Sequence, residues 1–367
     1  MPEPALVAIE ASPLRLAFKQ TFSHASASRR EGESVWVRVR TRAGNHGRGE
    51  GCPRDYVTGE TLAGALAWID GRRADWQREL QDLAALRAWV DANRSEIDAN
   101  AAAWCAVELA VLDALARDAG QSVEALLGLP ALSGSFLYTA VLGDSAAERF
   151  EAELSTYRRF GFGAFKIKLS GVPDRDQAKV AILRRAGIAP EAVRADANNL
   201  WLDAGSALAA LAQLEYPFWA IEEPLRAGDA AGLVRVAQAR GCAIVLDESL
   251  LRGEDLARLQ GASQDWIANL RVSKMGGLLR SLALVTRLRE AGIRVVVGAH
   301  VGESSLLTRA ALTVAQAARD LLVGQEGAFG THLLERDVVL APLQFGAGGV
   351  LAAPAHAAAG FGFGVDA

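Results

Sequence analysis

Two lysines with potential chemistry lie close together in the apolar segment 164–169. Lys166 and Lys168 are two residues apart, so in a β-strand their side chains point to the same face. Two ammonium groups on one buried face repel each other and lose hydration, and both effects favour the neutral amine. We therefore expect at least one of these lysines to have a lowered pKa and to be a candidate base, although solvated lysines on an edge strand would give the same pattern.

Further charged residues close later apolar runs at a regular interval. From Lys168, the residues Asp196, Glu222, Asp247 and Lys274 follow at steps of 28, 26, 25 and 27 residues, about one strand and one helix each. Any one of them could be an ordinary turn residue. Five in register are more typical of a parallel barrel, in which the carboxyl ends of the strands meet at one mouth and carry the chemistry.

The residue types in this set indicate a particular kind of site. Three carboxylates, with no Cys or His among them, favour a hard divalent cation, Mg²⁺ first and Mn²⁺ as the alternative. Such a cation would bind a substrate carboxylate and stabilise the charge that develops when an α-proton leaves. Lys168 and Lys274 would face opposite sides of the substrate, so that one removes the proton and the other returns it or stabilises the anion.

Eight short apolar runs alternate with helical patterns after residue 135, which is typical of βαβ units. They are Tyr138–Leu142, Phe165–Leu169, Ala192–Asp196, Phe218–Glu222, Ala243–Asp247, Ala268–Lys274, Ile293–Ala299 and Leu321–Gln325. Their even period predicts a closed (β/α) barrel, with a doubly wound open sheet as the alternative. We expect a capping (lid) domain at 1–130, the barrel at 131–340, and a tail at 341–367 that returns to the capping domain.

The first 130 residues predict a smaller α+β module. Strands are expected at Leu6–Glu10, Leu14–Phe18 and Ser34–Arg40, with Lys19–Arg30 as a mobile loop between them. Helices are expected from about Thr61 to Ile69, at Leu80–Ile97 and at Ala101–Asp118.

Composition excludes several classes of protein. The 367 residues carry a net charge of −4, with no basic block for nucleic acid or a membrane surface. The segment after Met1 lacks a signal pattern, and no apolar run approaches about 20 residues. Cys52, Cys105 and Cys242 are odd in number and far apart, which fits a reducing cytoplasm. We expect a cytoplasmic enzyme that binds a small carboxylate substrate, contacts neither nucleic acid nor membrane, and forms a homo-oligomer.

These motifs together resemble those of the enolase superfamily, specifically the muconate-lactonizing subgroup of the mandelate racemase/muconate lactonizing enzyme family. The resemblance rests on Lys166-Ile167-Lys168, Asp196-Ala197-Asn198, Ile221-Glu222-Glu223-Pro224, Asp247-Glu248-Ser249 and Lys274-Met275-Gly276-Gly277. It implies a modified (β/α)7β barrel with an N-terminal α+β cap. It also implies that Asp196, Glu222 and Asp247 bind Mg²⁺, that Lys168 is a base with Lys166 as its pKa-lowering neighbour, and that Lys274 is the base or cation on the other face.

Other polar residues are candidates for supporting roles. Asn198 and Glu248 could orient the site, and His300 and Glu326 could contact the substrate. His24 lies in the expected lid loop. Arg194, two residues before Asp196, should point into the barrel and needs a carboxylate partner that the sequence does not identify.

The resemblance implies α-proton abstraction but leaves the outcome open. Cycloisomerisation and racemisation or epimerisation are favoured, and elimination of water would be lyase chemistry on the same enolate. Dipeptide epimerase, N-succinylamino acid racemase and o-succinylbenzoate synthase activities are alternatives. The segment 325–330 lacks the Asp-x-Asp by which dipeptide epimerases of this subgroup hold the substrate ammonium, which weakens the first of them. A protein that only binds small carboxylates on the same fold is the non-enzymatic alternative.

Overall fold

The computed structural model describes residues 5–24, 27–259, 266–354 and 358–363, with the backbone alone at 20–24, 27–29 and 258–259. Two modules follow one another along the chain: a three-stranded sheet with six helices, and an eight-stranded parallel sheet with its own helices.

The first module begins with an antiparallel sheet in the order β1-β2-β3. Its elements are β1 (Leu6–His24), β2 (Ala27–Thr41), β3 (His46–Gly51), α1 (Asp55–Thr58), α2 (Leu62–Glu79), α3 (Leu83–Ala92), α4 (Arg94–Ala99), α5 (Ala101–Asp118) and α6 (Val123–Leu127). The expectation of a loop at Lys19–Arg30 is wrong for the described residues, because β1 continues to His24 and β2 starts at Ala27. This hairpin extension is polar and lacks the alternation that marks a strand in sequence.

Alternate glycines fix how this module packs. On β3, a Cβ added at Gly47, Gly49 or Gly51 would lie 2.0, 1.9 or 1.8 Å from a carbonyl oxygen of α5. Only glycine allows backbone to approach backbone that closely. Helix α5, with its run of alanines, therefore lies directly on the sheet and carries buried side chains along most of its length.

The second module is a parallel sheet in the order β12-β11-β10-β9-β8-β7-β6-β5. Its strands are β5 (Ala140–Leu142), β6 (Phe165–Lys168), β7 (Val193–Asp196), β8 (Ala220–Glu222), β9 (Ala243–Leu246), β10 (Trp266–Leu270), β11 (Arg294–Val297) and β12 (Leu322–Gln325). The helices are α7 (Ala147–Arg159), α8 (Pro173–Arg185), α9 (Ala204–Leu214), α10 (Ala230–Arg240), α11 (Leu278–Glu290) and α12 (Ser305–Ala317). Short 3-10 turns lie at Pro190–Ala192, Gly253–Leu259, Gly330–His332 and Ala347–Gly349.

The sheet curls so that its first and last strands meet. Just before β5, the amide of Thr139 donates to the carbonyl of Gln325 on β12 at 2.8 Å. Seven connections join the eight strands; in six the described residues form an α-helix, and between β9 and β10 they form a 3-10 turn. The predicted (β/α)7β barrel with an N-terminal α+β cap is therefore confirmed.

One predicted strand differs from the structure in a way that affects the site. The run Ala268–Lys274 was expected to end at Lys274, but β10 is Trp266–Leu270. Lys274 thus lies four residues beyond the strand, in a turn that leads to Gly276 and Gly277. Both glycines have positive φ, 74° and 105°, which favours a turn there and not a continued strand.

The C-terminal residues contact both modules. Strand β13 (Val350–Ala352) pairs with β4 (Ser135–Leu137). Farther on, the amide of Phe361 donates to Asp113 on α5 at 2.8 Å, and the carbonyl of Gly360 accepts from Val123 on α6. Within the described residues, no helix has the length and apolar character needed to cross a membrane.

Candidate active site

The registers of β6, β7 and β8 bring three predicted site residues to one level. Lys168 pairs with Asp196, and Asp196 pairs with Glu222. Asp247 follows the end of β9 directly. All three carboxylates are buried, with at most 1% of the residue exposed. Because the strands are parallel and in register, their carboxyl ends form one cluster at the mouth of the barrel.

Lys166 lies among carboxylates. Its Nζ is 3.2 Å from Oδ2 of Asp196, 3.1 Å from Oε2 of Glu222 and 2.7 Å from Oε2 of Glu326. Burial opposes the ammonium charge, but the carboxylates, Glu222 foremost, outweigh it and raise the pKa of Lys166. Lys166 is therefore not the one of the two lysines with a lowered pKa, because the carboxylates on the neighbouring strands stabilise its ammonium.

Lys168 reaches an open space. Its side chain is 12% exposed, and its Nζ donates to Oδ2 of Asp196 and to Oδ1 of Asn198, both at 2.7 Å. Asn198 follows β7 with a φ of 45°, which Asn tolerates better than most residues. The Asn198 side chain, predicted for a supporting role, thus holds the Lys168 ammonium at the edge of the cavity.

The second predicted lysine lies elsewhere. Lys274 is fully buried, and its Nζ donates to the carbonyl and Oδ1 of Asp247, both at 2.8 Å, and to the carbonyl of Asn269 at 2.9 Å. The cavity described below is not lined by Lys274. The structure therefore places Lys274 behind Asp247, where it fixes that carboxylate, because the turn after β10 carries it away from the mouth.

Arg271, which the sequence analysis overlooked, lies at the mouth instead. It follows the last residue of β10 directly, as Asp247 follows β9. Its guanidinium donates to Oδ2 of Asp247 and lies 3.9 Å from Oε1 of Glu222. Burial disfavours its charge, but Asp247 and Glu222 outweigh burial and raise its pKa. A strand predicted to begin at Trp266 would have identified this residue.

Arg194 has the partner that the sequence could not name. Glu326, one residue beyond β12, accepts from the Arg194 guanidinium and from Lys166. Lys166 and Arg194 outweigh burial and lower the pKa of the Glu326 carboxyl to about 2. The predicted substrate residue Glu326 is thus held by two buried cations.

Glu223 and Glu248 lie on loops beside the carboxylate cluster and have different contacts. Glu223 accepts from the amides of Asp247 and Ser249, each at 2.7 Å, and so shapes the loop after β9. Glu248 lines the cavity; burial, with the charge of Asp247, raises its pKa to about 7. Burial and the neighbouring Asp196 likewise raise the pKa of Glu222 to about 7.

A cavity of about 110 Å³ opens above the cluster. Its lining includes the charged and polar groups Lys166, Lys168, Asn198, Asn199, Glu248, Arg271, His300 and Glu326, with Tyr56, Val57, Val141, Ala299, Val301, Gly327 and Phe329. The predicted candidates Asn198, Glu248, His300 and Glu326 therefore share one space. His24 ends β1, and its side chain lies outside the described part of the structure.

His300 and Arg271 are neighbours on one side of this cavity. The Nη1 of Arg271 is 3.4 Å from Nδ1 of His300, and the amide of His300 donates to Glu303 at 2.7 Å. In the order of the sheet, β10 is four strands from β6. Arg271 and Lys168 therefore lie on opposite sides of an eight-stranded barrel.

The chemistry of the donor set fits a hard divalent cation, since it offers only carboxylate oxygens. In the described residues, no three Asp, Glu, His or Cys side chains are arranged to coordinate one ion directly. Lys166 lies between Asp196 and Glu222, and Arg271 lies between Glu222 and Asp247. Cationic side chains thus contact the carboxylates at the place where the sequence predicts a metal.

Comparison with known proteins agrees with this fold. Residues 8–128 match the family model "Mandelate racemase / muconate lactonizing enzyme, N-terminal domain", and residues 149–367 match "Enolase C-terminal domain-like". The chain is 28% identical over 320 residues to a hydrophobic dipeptide epimerase of Enterococcus faecalis, covering 86% of this chain and 87% of the relative.

Solved structures show the same likeness over nearly the whole chain. The dipeptide epimerase of Enterococcus faecalis, complexed with Mg and L-Leu-L-Tyr, has a TM-score of 0.82 at 25% identity and covers 98% of this chain and 99% of its own. The muconate lactonizing enzyme of Pseudomonas fluorescens, complexed with muconolactone, has a TM-score of 0.87 at 25% identity, with coverages of 99% and 97%. The chain belongs to the mandelate racemase/muconate lactonizing enzyme family of the enolase superfamily, whose members similar to it are isomerases.

Proposed function

We propose that this protein is a divalent-cation-dependent isomerase that removes the α-proton of a carboxylate substrate with Lys168 as the base. The observation that carries this proposal is the position of the Lys168 ammonium. It reaches the cavity while it contacts Asp196, the first of the clustered carboxylates. A base must lie within hydrogen-bond reach of the proton that it removes, and Lys168 is placed to meet a substrate in this space.

Asp196, Glu222 and Asp247 are the residues that would hold the cation. Mg²⁺ is favoured because all three donors are carboxylates and because the structure of the Enterococcus faecalis relative contains Mg. When bound, the ion supplies a Lewis acid that stabilises the negative charge of the enolate. Lys274 and Glu223 fix the position of Asp247 from behind, and Asn269 donates to Glu222 at 3.0 Å.

The two sides of the cavity differ in what they can do with a proton. Lys168 is an amine that can exchange a proton, whereas the guanidinium of Arg271 stays protonated at any working pH. On the Arg271 side the protein therefore offers a fixed positive charge for an anion. This asymmetry favours cycloisomerisation, which needs one base and a stabilised enolate, over racemisation between two lysines.

The contacts of Glu326, which follows the last strand, disfavour substrates with a free ammonium group. Glu326 is already held by Lys166 and Arg194, so it is a poor partner for a substrate ammonium. We propose that the substrate is a carboxylic acid without a free amine next to the reacting carbon. Muconolactone fits this description, since its α-carbon carries a removable proton, and so do the N-succinyl amino acids turned over by N-succinylamino acid racemases.

Racemisation or epimerisation is the second candidate. It is favoured by the 28% identity to the Enterococcus faecalis dipeptide epimerase and by His300, which lines the cavity on the Arg271 side. An imidazole is the side chain best suited to exchange a proton near neutral pH. In this candidate His300 would be the second proton carrier, and the outcome would be inversion at the α-carbon.

Proton NMR in D₂O tests the proposal. The purified protein with Mg²⁺ is incubated with muconolactone, N-succinyl amino acids of both configurations and L-Leu-L-Tyr, and the loss of each α-proton signal is followed. We expect exchange in at least one acid, loss of exchange with EDTA, and loss in Lys168→Met but not in the surface variant Arg289→Met. An absence of exchange across this panel, or equal rates in Lys168→Met and the wild type, would contradict the proposal. Exchange in both enantiomers of one acid, abolished by His300→Asn, would identify the racemase.

A further inference from the structure

The carboxylate cluster already contains a cation that belongs to the chain. The Arg271 guanidinium donates to Asp247 and lies 3.9 Å from Glu222. Both carboxylates are almost completely buried, with at most 1% exposed. Buried carboxylates without a counter-charge are costly, so a cation at this place stabilises the cluster when no metal is bound.

The same two carboxylates are needed by the metal in the proposed function. Asp247 Oδ1 is occupied by Lys274, which is fully buried and also held by two backbone carbonyls. Arg271 contacts the other oxygen, Oδ2, and its side chain is 11% exposed and lines the cavity. Of these two partners, Arg271 is the one with space to move into.

We propose that Arg271 is an exchangeable counter-cation: it pairs with Asp247 and Glu222 while the metal is absent, and it turns into the cavity when a divalent cation takes those carboxylates. This inference rests on the proposed function, because it requires metal binding at Asp196, Glu222 and Asp247. The guanidinium already lies 3.4 Å from His300 while it pairs with Asp247, on the side of the cavity across the barrel axis from Lys168. Once turned, it presents its five donors to an anionic group of the substrate, for which its planar fork is well suited.

Metal affinity is the first measurement. Titration calorimetry with MgCl₂ compares the wild type with Arg271→Met, Arg271→Lys and the surface control Arg289→Met. Because the metal no longer competes with a guanidinium, we expect Arg271→Met to bind Mg²⁺ at least about tenfold more tightly. Arg271→Lys should lie between it and the wild type, and Arg289→Met should match the wild type. Equal or weaker binding by a folded Arg271→Met protein overturns the inference.

The second measurement follows the release of the Arg271 side chain. It is needed because removal of the positive charge in Arg271→Met could by itself tighten Mg²⁺ binding. Phenylglyoxal labels exposed guanidinium groups, and peptide mass spectrometry reports the labelling of each arginine. We expect Mg²⁺ to increase labelling of Arg271 several-fold, and to leave unchanged the control Arg280, which pairs with Asp98 away from the site. Unchanged labelling of Arg271 at saturating Mg²⁺ overturns the inference.

The two proposals fail in different ways. If Mg²⁺ binds and releases Arg271 while no acid exchanges its α-proton, the inference about Arg271 is supported and the proposed function is contradicted. If an acid exchanges its α-proton while Arg271 labelling does not respond to Mg²⁺, the proposed function is supported and the inference about Arg271 is contradicted. If neither the wild type nor Arg271→Met binds Mg²⁺, both fall.

Discussion

Glu326 and Lys166 form an ion pair of 2.7 Å that joins the last strand of the barrel to the second. Glu326 also accepts from Arg194 on β7, so one carboxylate pairs with two buried cations. The pair fixes Lys166 beside Asp196 and Glu222, whereas Lys168, two residues on, is the more exposed of the two lysines that line the cavity. The division of roles between the two lysines therefore depends on a residue more than 150 positions away.

Glu326→Gln should cost both stability and activity. The amide keeps the shape of the carboxyl but leaves Lys166 and Arg194 short of one negative charge, and breaking a buried ion pair typically costs about 3–5 kcal/mol. Urea unfolding measures the change in the free energy of unfolding. The exposed pair between Arg289 and Asp320 provides the control, and Asp320→Asn should unfold like the wild type. A Glu326→Gln protein as stable as the wild type would mean that the three charges do not depend on one another.

Lys168→Met and Lys274→Met should differ in their effects on the fold. We expect Lys168→Met to lose proton exchange by a factor of about 10² or more, with little loss of stability, because Lys168 borders the cavity and Asp196 keeps Lys166. Lys274→Met should lose activity together with about 3–5 kcal/mol of unfolding free energy, because Asp247 and the Asn269 carbonyl lose a buried donor. Exchange rates and urea midpoints measured on the same preparations check both. If Lys274→Met lost activity but kept normal stability, Lys274 would have a catalytic role and not a structural one.

Stability should fall as the pH rises from about 4.5 to about 7. Glu50 accepts from Ser304 at the start of α12, and Glu108 accepts from the amide of Leu279 on α11, so both lie buried between cap and barrel. Burial raises the pKa of each carboxyl to about 7. Over this range the folded protein binds more protons than the unfolded chain, so protonation favours the fold and each group weakens it by on the order of 1–3 kcal/mol at higher pH. Urea unfolding between pH 5 and pH 8 measures this.

The matched variants for the pH effect are Glu50→Gln and Glu108→Gln. Each removes one titrating group while it keeps the hydrogen-bonding shape, so the slope of stability against pH should flatten. If both variants keep the wild-type slope, these carboxyls are not its source.

Gly49→Ala should disrupt the packing of α5 on β3 within the cap. The added Cβ would lie 1.9 Å from the carbonyl oxygen of Ala106, and neither backbone can yield without moving α5 away from β3. We expect a loss of about 3 kcal/mol or more, at the upper end of what overpacking costs. Gly71→Ala is the control, because Gly71 lies within α2 and its added Cβ meets nothing within 4 Å. It should stabilise the protein by about 0.5–1 kcal/mol through helix propensity, and calorimetric melting compares the two.

The arrangement of the barrel could be predicted because its signals are local. Each strand is a short apolar run, and Asp196 and Glu222 close theirs, so period and register could be read along the chain. The same signals do not locate β10, which begins two residues before the predicted run Ala268–Lys274 and ends at Leu270. The sequence therefore does not indicate Arg271 as a site residue, although Arg271 follows β10 directly as Asp247 follows β9.

Contacts between distant segments could not be predicted in this way. The partner of Arg194 lies at the point where the barrel closes, and no property of either residue indicates that Glu326 is near. Lys179 on α8 is a similar case. Its Nζ donates to the carbonyl of Lys168 at 2.7 Å and so helps to fix the base from behind, yet in sequence it is one more lysine on a helix.

The return of the chain to Asp113 and Val123 has a consequence for the order of assembly. Two backbone groups near residue 360 complete hydrogen bonds on α5 and α6, which are made of residues synthesised more than 230 positions earlier. During translation these two hydrogen bonds cannot form until the C-terminal segment has been synthesised. The cap of a nascent chain stalled before residue 350 should therefore still be sensitive to protease.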